Sequence, residues 1–162
     1  MAVFALTGAT ILVGTAWTGT APGGTAAPSG TITSSTDISA LVTQVELSLE
    51  AEELEFTNFA SAGWRQKISG LQMGSVSLTL NQDFDASVTD AIFGLGGTLG
   101  FGSTSSLFMD IKPTASARSA TNPAYVLRFL NLSYQPIANS VGELATVSLT
   151  FPTTGRVARL TS

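Results

Sequence analysis

The chain has 162 residues, of which 44% are apolar and only 11% are charged, and it contains neither histidine nor cysteine. This length is typical of one domain with a buried core, whereas a disordered chain would combine low hydrophobicity with high charge. The missing residues exclude a disulfide scaffold, thiolate metal sites and the commonest general base. The net charge of −4 argues against tight binding of a phosphate backbone, which requires Lys and Arg.

The first 36 residues carry no charged side chain, and the first charge is Asp37. The apolar run near the start lacks a basic flank and is far shorter than the roughly 20 residues of a membrane span, so we expect neither a signal peptide nor a span. Residues 14–35 are mostly Gly, Thr, Ser, Ala and Pro, which bury too little apolar area to offset their ordering entropy. We therefore expect residues 1–35 to form an uncharged arm or long loop, and residues 36–162 to form the β domain.

Alternation of apolar and polar residues, which indicates half-buried strands, recurs along the body. In the first such segment Val45, Leu47 and Leu49 alternate with Gln44, Glu46, Ser48 and Glu50. Residues 124–134 are apolar on both faces, which predicts a strand in the middle of its sheet. The predicted strands lie near residues 42–50, 75–81, 107–112, 124–134, 145–151 and 156–161.

One helix interrupts the strands. Asp85 can cap a segment in which Val88, Ala91, Ile92 and Leu95 follow helical spacing, and Gly94 can end it. The sequence therefore predicts a mainly β protein, an antiparallel β-sandwich or barrel with one flanking α-helix and an extended N-terminal arm or loop.

The outward faces of these strands are made of small hydroxyl residues rather than the Lys and Glu of ordinary exposed sheets. Three strands show this pattern. The examples are Gln44 with Ser48, then Ser75, Ser77 and Thr79, then Thr146, Ser148 and Thr150. One interpretation is an ordinary solvated face. The other is a surface that packs against neighbouring subunits or lines a smooth polar channel.

Charges are unevenly distributed along the chain. Residues 1–63 hold six acidic and no basic residues, whereas residues 111–162 hold five basic residues and one acidic residue. A charge run of this kind is often a solvated loop. The functional alternative is complementary charge between unlike surfaces of identical subunits, which would orient head-to-tail association.

Motifs of catalysis and ligand binding are missing from the sequence. There is no nucleophile elbow and no histidine to activate a serine, and the glycines of residues 94–100 do not have the spacing of a nucleotide loop. Asp83 and Asp85 lack the calcium-loop pattern and suit turn or cap chemistry, and the glycosylation-like triplet at Asn131 lies in an apolar strand. We expect no enzyme activity, no catalytic residue, no metal site and no cofactor.

Several segments resemble the major tail tube proteins of long-tailed, siphovirus-type bacteriophages, especially those of actinobacteria. The resemblance covers residues 36–157 in pieces, and residues 1–35 depart from it. The segments are Thr36–Leu47, Phe56–Phe59, Gly63–Arg65, Ile68–Leu71, Asn81–Asp83, Lys112–Pro113, Ser119–Tyr125 and Gly142–Pro152.

This resemblance implies a structural virion protein, made in the host cytoplasm, whose copies close into rings, six to a ring, that stack into the hollow tail tube. DNA would pass through that tube into the host. The implied partners are other copies of the chain, the tape measure protein and genomic DNA in the lumen without sequence-specific binding, and the tail tip and terminator proteins. No membrane partner is implied.

Two surfaces are predicted for assembly. The first faces the lumen or another subunit and consists of Gln44, Glu46, Ser48, Glu50, Ser75, Ser77 and Thr79. The second is a long loop over residues 51–70 that contacts the adjacent ring, with Glu52, Glu53, Glu55, Trp64, Arg65 and Lys67 as its contact residues.

Two other classes of function remain open on the sequence alone. One is a different phage structural protein, such as a head decoration protein or a tail terminator, built on a similar β fold. The other is a secreted carbohydrate-binding β-sandwich. Such a protein is expected to expose pairs of Trp or Tyr, and this chain has only two Trp and two Tyr.

Overall fold

The computed structural model of the chain describes residues 8–61, 63–85 and 89–162. Within these ranges the chain forms ten strands, a 3₁₀ turn at Phe59–Ser61 and one α-helix, α1 (Thr89–Phe93). Along this part of the chain no helix has the length and apolar character needed to cross a membrane. The strands are β1 (Thr10–Gly14), β2 (Ala16–Trp17), β3 (Ile32–Thr33), β4 (Thr36–Asp37), β5 (Val42–Glu55), β6 (Lys67–Asn81), β7 (Leu107–Lys112), β8 (Ala124–Phe129), β9 (Thr146–Pro152) and β10 (Ala158–Leu160).

Two antiparallel sheets pack face to face around the core, as the alternating sequence predicts. One sheet has the strand order β10-β8-β7-β1-β4 and the other has the order β5-β6-β9. Phe129 of the first sheet packs on Phe151 of the second, with ring centroids 4.9 Å apart. The fold is therefore sandwich-like, with α1 beside it. The buried side chains that fill the space between the sheets include Ile11, Val13, Val76, Leu78, Leu80, Leu107, Met109, Leu127, Val147 and Leu149.

The strands β5, β6, β7, β9 and β10 confirm the predicted segments, and β8 lies between β7 and β10 as predicted. However, β8 ends at Phe129 and does not continue to residue 134. The reason is Asn131, whose buried side-chain amide donates hydrogen bonds to the carbonyls of Phe93 and Leu99. This amide ties the end of β8 to the segment after α1, and its burial is incompatible with a glycan.

The helix α1 is shorter than the helix that the apolar spacing predicts. Ile92 and Phe93 are buried, and the amide of Gly94 donates to the carbonyl of Asp90 at the helix end. Leu95 is exposed, so it does not belong to the buried helical face that the spacing predicts. Val88 lies outside the described residues.

The N-terminal segment is a correction to the sequence prediction. Within residues 1–35, β1 is not an arm, because it lies between β7 and β4 in the larger sheet. Ile11 and Val13 occupy alternate positions of β1, and both side chains are buried in the core. Residues 1–7 lie outside the described residues, so the arm prediction is not tested there.

Residues 18–31 form the predicted long loop, and its neighbours order it. Trp17 packs on Phe108 with ring centroids 5.7 Å apart, and its indole Nε1 donates to the carbonyl of Ser29. Arg118 donates from Nη1 to the carbonyl of Gly30 over 2.6 Å. The loop therefore covers the face of the larger sheet that points away from the core.

The hairpin of β5 and β6 is the second correction. Residues 51–70 were expected as a long loop, but β5 runs to Glu55 and β6 begins at Lys67, so only residues 56–66 connect them. The alternating pattern ends near Glu50, where β5 loses contact with the core and no longer needs an apolar face. The Gly74 carbonyl still accepts hydrogen bonds from Thr153, and beyond Gly74 the strand register pairs β5 and β6 with each other. At about 3.3 Å per residue, the hairpin extends more than 20 Å past the sheet.

Candidate functional site

The first predicted surface is one continuous face of the smaller sheet. Gln44 on β5 pairs with Thr79 on β6, which pairs with Ser148 on β9. The next rows along the sheet are Glu46, Ser77 and Thr150, then Ser48, Ser75 and Pro152. Because alternate strand residues share a face, the structure brings together all seven side chains that the sequence singled out. We call this surface the hydroxyl face.

Hydroxyl groups on this face bond to one another across the strands. Ser77 Oγ lies 3.2 Å from Thr150 Oγ1, and Thr79 Oγ1 lies 3.4 Å from Ser148 Oγ. The sequence analysis recognised the hydroxyl pattern of Ser148 and Thr150 but did not assign them to this site. Alternation shows which way a strand residue points, but not which strand lies beside it. The result is a shallow surface of short side chains that satisfy part of their hydrogen bonding locally.

The charges on the hydroxyl face have one sign. Glu46 lies opposite Ser77, and Glu50 lies opposite Met73 just beyond the end of β9. Glu52 follows on the same side of β5 by alternation. The strand positions that the structure places on this face include no Lys or Arg. A cation-free row of carboxylates repels phosphate groups at short range.

The second predicted set does not stay together. Lys67 Nζ lies 2.7 Å from Glu53 Oε1, and these two side chains point away from the hydroxyl face together with Glu55. Arg65 Nη1 lies 3.9 Å from Glu55 Oε2 near the tip. Such exposed pairs contribute little to stability. Of the six predicted contact residues, Glu52 joins the hydroxyl face, and Trp64 and Arg65 lie at the tip.

Apart from Trp64, the exposed apolar side chains on the hairpin are a feature that the sequence prediction missed. Leu54 lies opposite Ile68 on the same side as Glu50 and Met73. A register shift between Ala51 and Glu53 places an extra residue in β6 near Gly70, where a Cβ would lie 3.0 Å from Leu54 Cδ1. The exposed apolar side chains of this region form what we call the hairpin patch: Leu54, Phe56, Phe59, Trp64, Ile68, Leu71 and Met73.

A second exposed apolar group lies at the other end of the smaller sheet, where β6 ends and β9 begins. Here the amide of Gln82 donates to the carbonyl of Ala145, and Asn81 pairs with Thr146. A cleft of about 350 Å³ nearby is lined by Asp90, Leu95, Phe101, Tyr134 and Pro136. We call the exposed apolar side chains at this end the distal cluster: Phe84, Leu95, Phe101, Ile137, Val141 and Leu144.

Tyr134 connects the parts of this distal end. Its hydroxyl donates to Asp90 Oδ1 over 2.7 Å and accepts a hydrogen bond from Gln82 Nε2 over 3.1 Å. Burial raises the pKa of Tyr134 above its ordinary value, and the carboxylate of Asp90 raises it further, while the Gln82 hydrogen bond opposes the rise. The tyrosine is a structural link between α1, β6 and the segment before β9.

The acidic side chains of the described residues are dispersed rather than grouped around a metal site. No group of three Asp or Glu side chains in residues 8–61, 63–85 and 89–162 is arranged to hold a metal ion. The Asp85 amide donates to Asp83 Oδ1 over 2.9 Å, which is the turn chemistry that the sequence indicates for these two residues.

Comparison with known proteins identifies the fold. No protein-family model matches the sequence, and no curated protein matches it. A chain of the virion of a native gene transfer agent particle is similar in structure, with a TM-score of 0.55 and 18% identity over 77% of this chain and 88% of that chain. A chain from the tail of an empty gene transfer agent particle, which was refined with C6 symmetry, gives a TM-score of 0.50 and 18% identity over 76% of this chain and 84% of that chain. At this identity the likeness shows a shared fold.

Proposed function

We propose that this chain is a structural protein of a phage-like tail and that its copies form stacked rings around a hollow tube. The hydroxyl face lines the bore, and DNA passes along it from the particle into the host. The observation that carries the proposal is this face, which combines cross-strand rows of short hydroxyl side chains with carboxylates and no cation. The shared fold with a chain of a sixfold tail supports the proposal.

The chemistry of the hydroxyl face suits transport better than binding. A protein that grips DNA neutralises phosphates with Lys and Arg, and each such contact slows release. Three glutamates per copy, Glu46, Glu50 and Glu52, give eighteen carboxylates in a ring of six. The short Ser and Thr side chains between them leave no deep pocket to hold a base. Such a bore repels DNA weakly and allows it to slide.

The hairpin makes the contact between rings in this proposal. A ring contact closes on itself, whereas a stacking contact must continue without closing, so the subunit needs two kinds of heterologous interface. The hairpin extends past the rest of its sheet and presents Trp64 and Arg65 at its tip. It can therefore reach a subunit that does not lie beside it in the same ring.

Other partners follow from the position in the particle. We propose that the protein is made in the host cytoplasm and resides in the virion. The tape measure protein and genomic DNA occupy the bore without sequence-specific contacts, and the tail tip and terminator proteins cap the two ends. The ends of the loop of residues 18–31 are held on the outer face of the larger sheet by Trp17 and Arg118, and this face would form the exterior of the tube. The role of the protein is structural and not enzymatic.

Negative-stain electron microscopy of the purified chain tests the proposal. Six domains of about 40 Å around a bore give rings or tubes about 100 Å wide, which are the expected result. Seeding with tail tips covers the case in which growth needs an initiator. A chain that stays monomeric at high concentration, with and without such seeds, overturns the proposal.

A further inference from the structure

The hairpin patch is too large to be an ordinary exposed surface. Its seven side chains are between 42% and 111% exposed. At roughly 200 Å² for a large side chain, their exposed area sums to about 900 Å². Monomeric soluble proteins rarely expose contiguous apolar patches above a few hundred Å². A partner that covers the hairpin is therefore expected on physical grounds.

The distal cluster is a second apolar surface of matching size. Its six side chains are between 45% and 106% exposed, which again corresponds to about 900 Å². Each partner in a stable protein interface contributes about 800 Å². The two surfaces therefore have the areas that a single interface between two copies would require.

The two surfaces lie at opposite ends of one sheet. Strand β6 begins at Lys67 beside the hairpin tip and ends at Asn81, which pairs with Thr146 at the distal end. Its 15 residues span about 45 Å at roughly 3.3 Å per residue. The hairpin patch therefore cannot fold back onto the distal cluster of its own chain. A second copy displaced along the strand direction can bring them together.

We propose that the hairpin patch of one copy packs against the distal cluster of the next copy, head to tail. This inference rests on the proposed stacking of rings and identifies the surface that receives the hairpin. The contact is heterologous, so each copy keeps one free hairpin and one free distal cluster, and growth continues without limit.

Cross-linking between single-cysteine variants tests the contact, since the natural chain has no cysteine. Leu71→Cys and Leu144→Cys proteins are mixed and treated with a short bismaleimide. The expected product is a dimer that contains one copy of each variant, with little product from either variant alone. Thr20→Cys, at an exposed position of the loop that covers the outer face of the larger sheet, replaces Leu71→Cys in the control and should give no dimer with Leu144→Cys. A Leu71→Cys dimer with itself overturns the proposal.

Complementation gives a second test that does not depend on cross-linking. Ile68→Asp/Leu71→Asp introduces two charges into the hairpin patch and disrupts it. Ile137→Asp/Leu144→Asp does the same to the distal cluster. Because buried anchors dominate interface energies, each variant alone should polymerise only at a concentration raised roughly 30-fold or more. In a mixture, the intact hairpin of one variant meets the intact distal cluster of the other. Sedimentation velocity should then show a species with twice the mass of the species that each variant forms alone. Polymers longer than this should be absent.

The outcomes separate this inference from the tube proposal. If the mixture gives the double species while the natural chain never forms hollow tubes, the contact stands and the tube proposal fails. If the natural chain forms hollow tubes and both variants do so equally well, the tube proposal stands and the contact is wrong. Circular dichroism of each variant shows whether the monomer is folded, and an unfolded pair is replaced by Leu71→Ser and Leu144→Ser.

Discussion

Arg118 Nη2 lies 2.7 Å from Asp110 Oδ2, and this ion pair joins the loop over the larger sheet to the sheet itself. The Asp110 side chain is 3% exposed and that of Arg118 is 15% exposed. The second guanidinium nitrogen, Nη1, donates to the carbonyl of Gly30. One arginine therefore pairs with one oxygen of a buried carboxylate on β7 and holds the Gly- and Thr-rich loop in place.

Replacing Arg118 should destabilise the monomer strongly. Arg118→Gln leaves the Asp110 carboxylate buried without its cation, and removing one partner of a buried pair typically costs about 3–5 kcal/mol. Urea unfolding followed by tryptophan fluorescence measures the free energy of unfolding. Trp17 lies in β2 directly before this loop and donates a hydrogen bond to the Ser29 carbonyl within it, so its emission should also change before the main transition.

Arg159→Gln is the matched control for this prediction. Arg159 is exposed and donates one hydrogen bond, to the carbonyl of Ala120. Its loss should lower the free energy of unfolding by about 1 kcal/mol or less. If Arg118→Gln lowers the free energy of unfolding no more than Arg159→Gln does, the ion pair does not hold the loop in place.

The order of this loop and the position of β1 could not be predicted from the sequence. Strand β1 pairs with β7 nearly 100 residues away, and local composition contains no sign of that contact. The strands of the body were predictable because Val76, Leu78 and Leu80 alternate with Ser75, Ser77 and Thr79 in a way that only one sheet face can accommodate. The register that joins them into the hydroxyl face depends on contacts between distant segments.

The hairpin shows a different limit of sequence patterns. Alternation predicts a strand when one face is buried, and beyond Glu50 neither face of β5 is buried against the core. The positions of Leu54, Ile68 and Leu71 therefore do not follow the alternation that packing against the monomer core produces. Apolar residues scattered among glutamates would suit a strand that is buried only when another copy packs against it, as proposed above.

Tyr134 predicts an alkaline dependence of stability. Burial raises the pKa of its phenol in the folded protein above the ordinary value of 10.0. The folded state therefore holds this proton more tightly than the unfolded chain. The corresponding stability is fully present below the unfolded pKa and is lost as the pH rises through the folded pKa.

Two variants isolate this effect. Tyr125→Phe leaves Tyr134 as the single tyrosine of the chain, so tyrosinate absorbance then reports its titration directly. Tyr134→Phe removes the hydrogen bonds to Asp90 and Gln82 and should lower stability by about 1–2 kcal/mol at neutral pH. It should also flatten the alkaline part of the stability profile. A titration of Tyr134 at or below its ordinary pKa would contradict the structure of the distal end.

The carboxylates of the hydroxyl face should keep DNA from adhering to the bore. Glu46→Lys/Glu50→Lys replaces two repulsive charges with two attractive ones on exposed positions, so the monomer should remain folded. Tubes of this variant should retain short duplex DNA at low salt and release it as salt rises, because each phosphate contact is weakened by added ions. Cosedimentation of tubes with labelled DNA measures the retention, and tubes of the natural chain should retain none.

Nuclease digestion shows where the retained DNA lies. In the Glu46→Lys/Glu50→Lys tubes it should be protected if the hydroxyl face lines the bore as proposed. Thr20→Lys/Thr31→Lys adds positive charge at two exposed positions of the loop over the outer face of the larger sheet, and any DNA that it retains should be digested. Glu46→Gln/Glu50→Gln separates loss of repulsion from gain of attraction, and it should retain little DNA. If DNA on the Glu46→Lys/Glu50→Lys tubes is digested as readily as on the Thr20→Lys/Thr31→Lys tubes, the hydroxyl face lies on the outside of the tube.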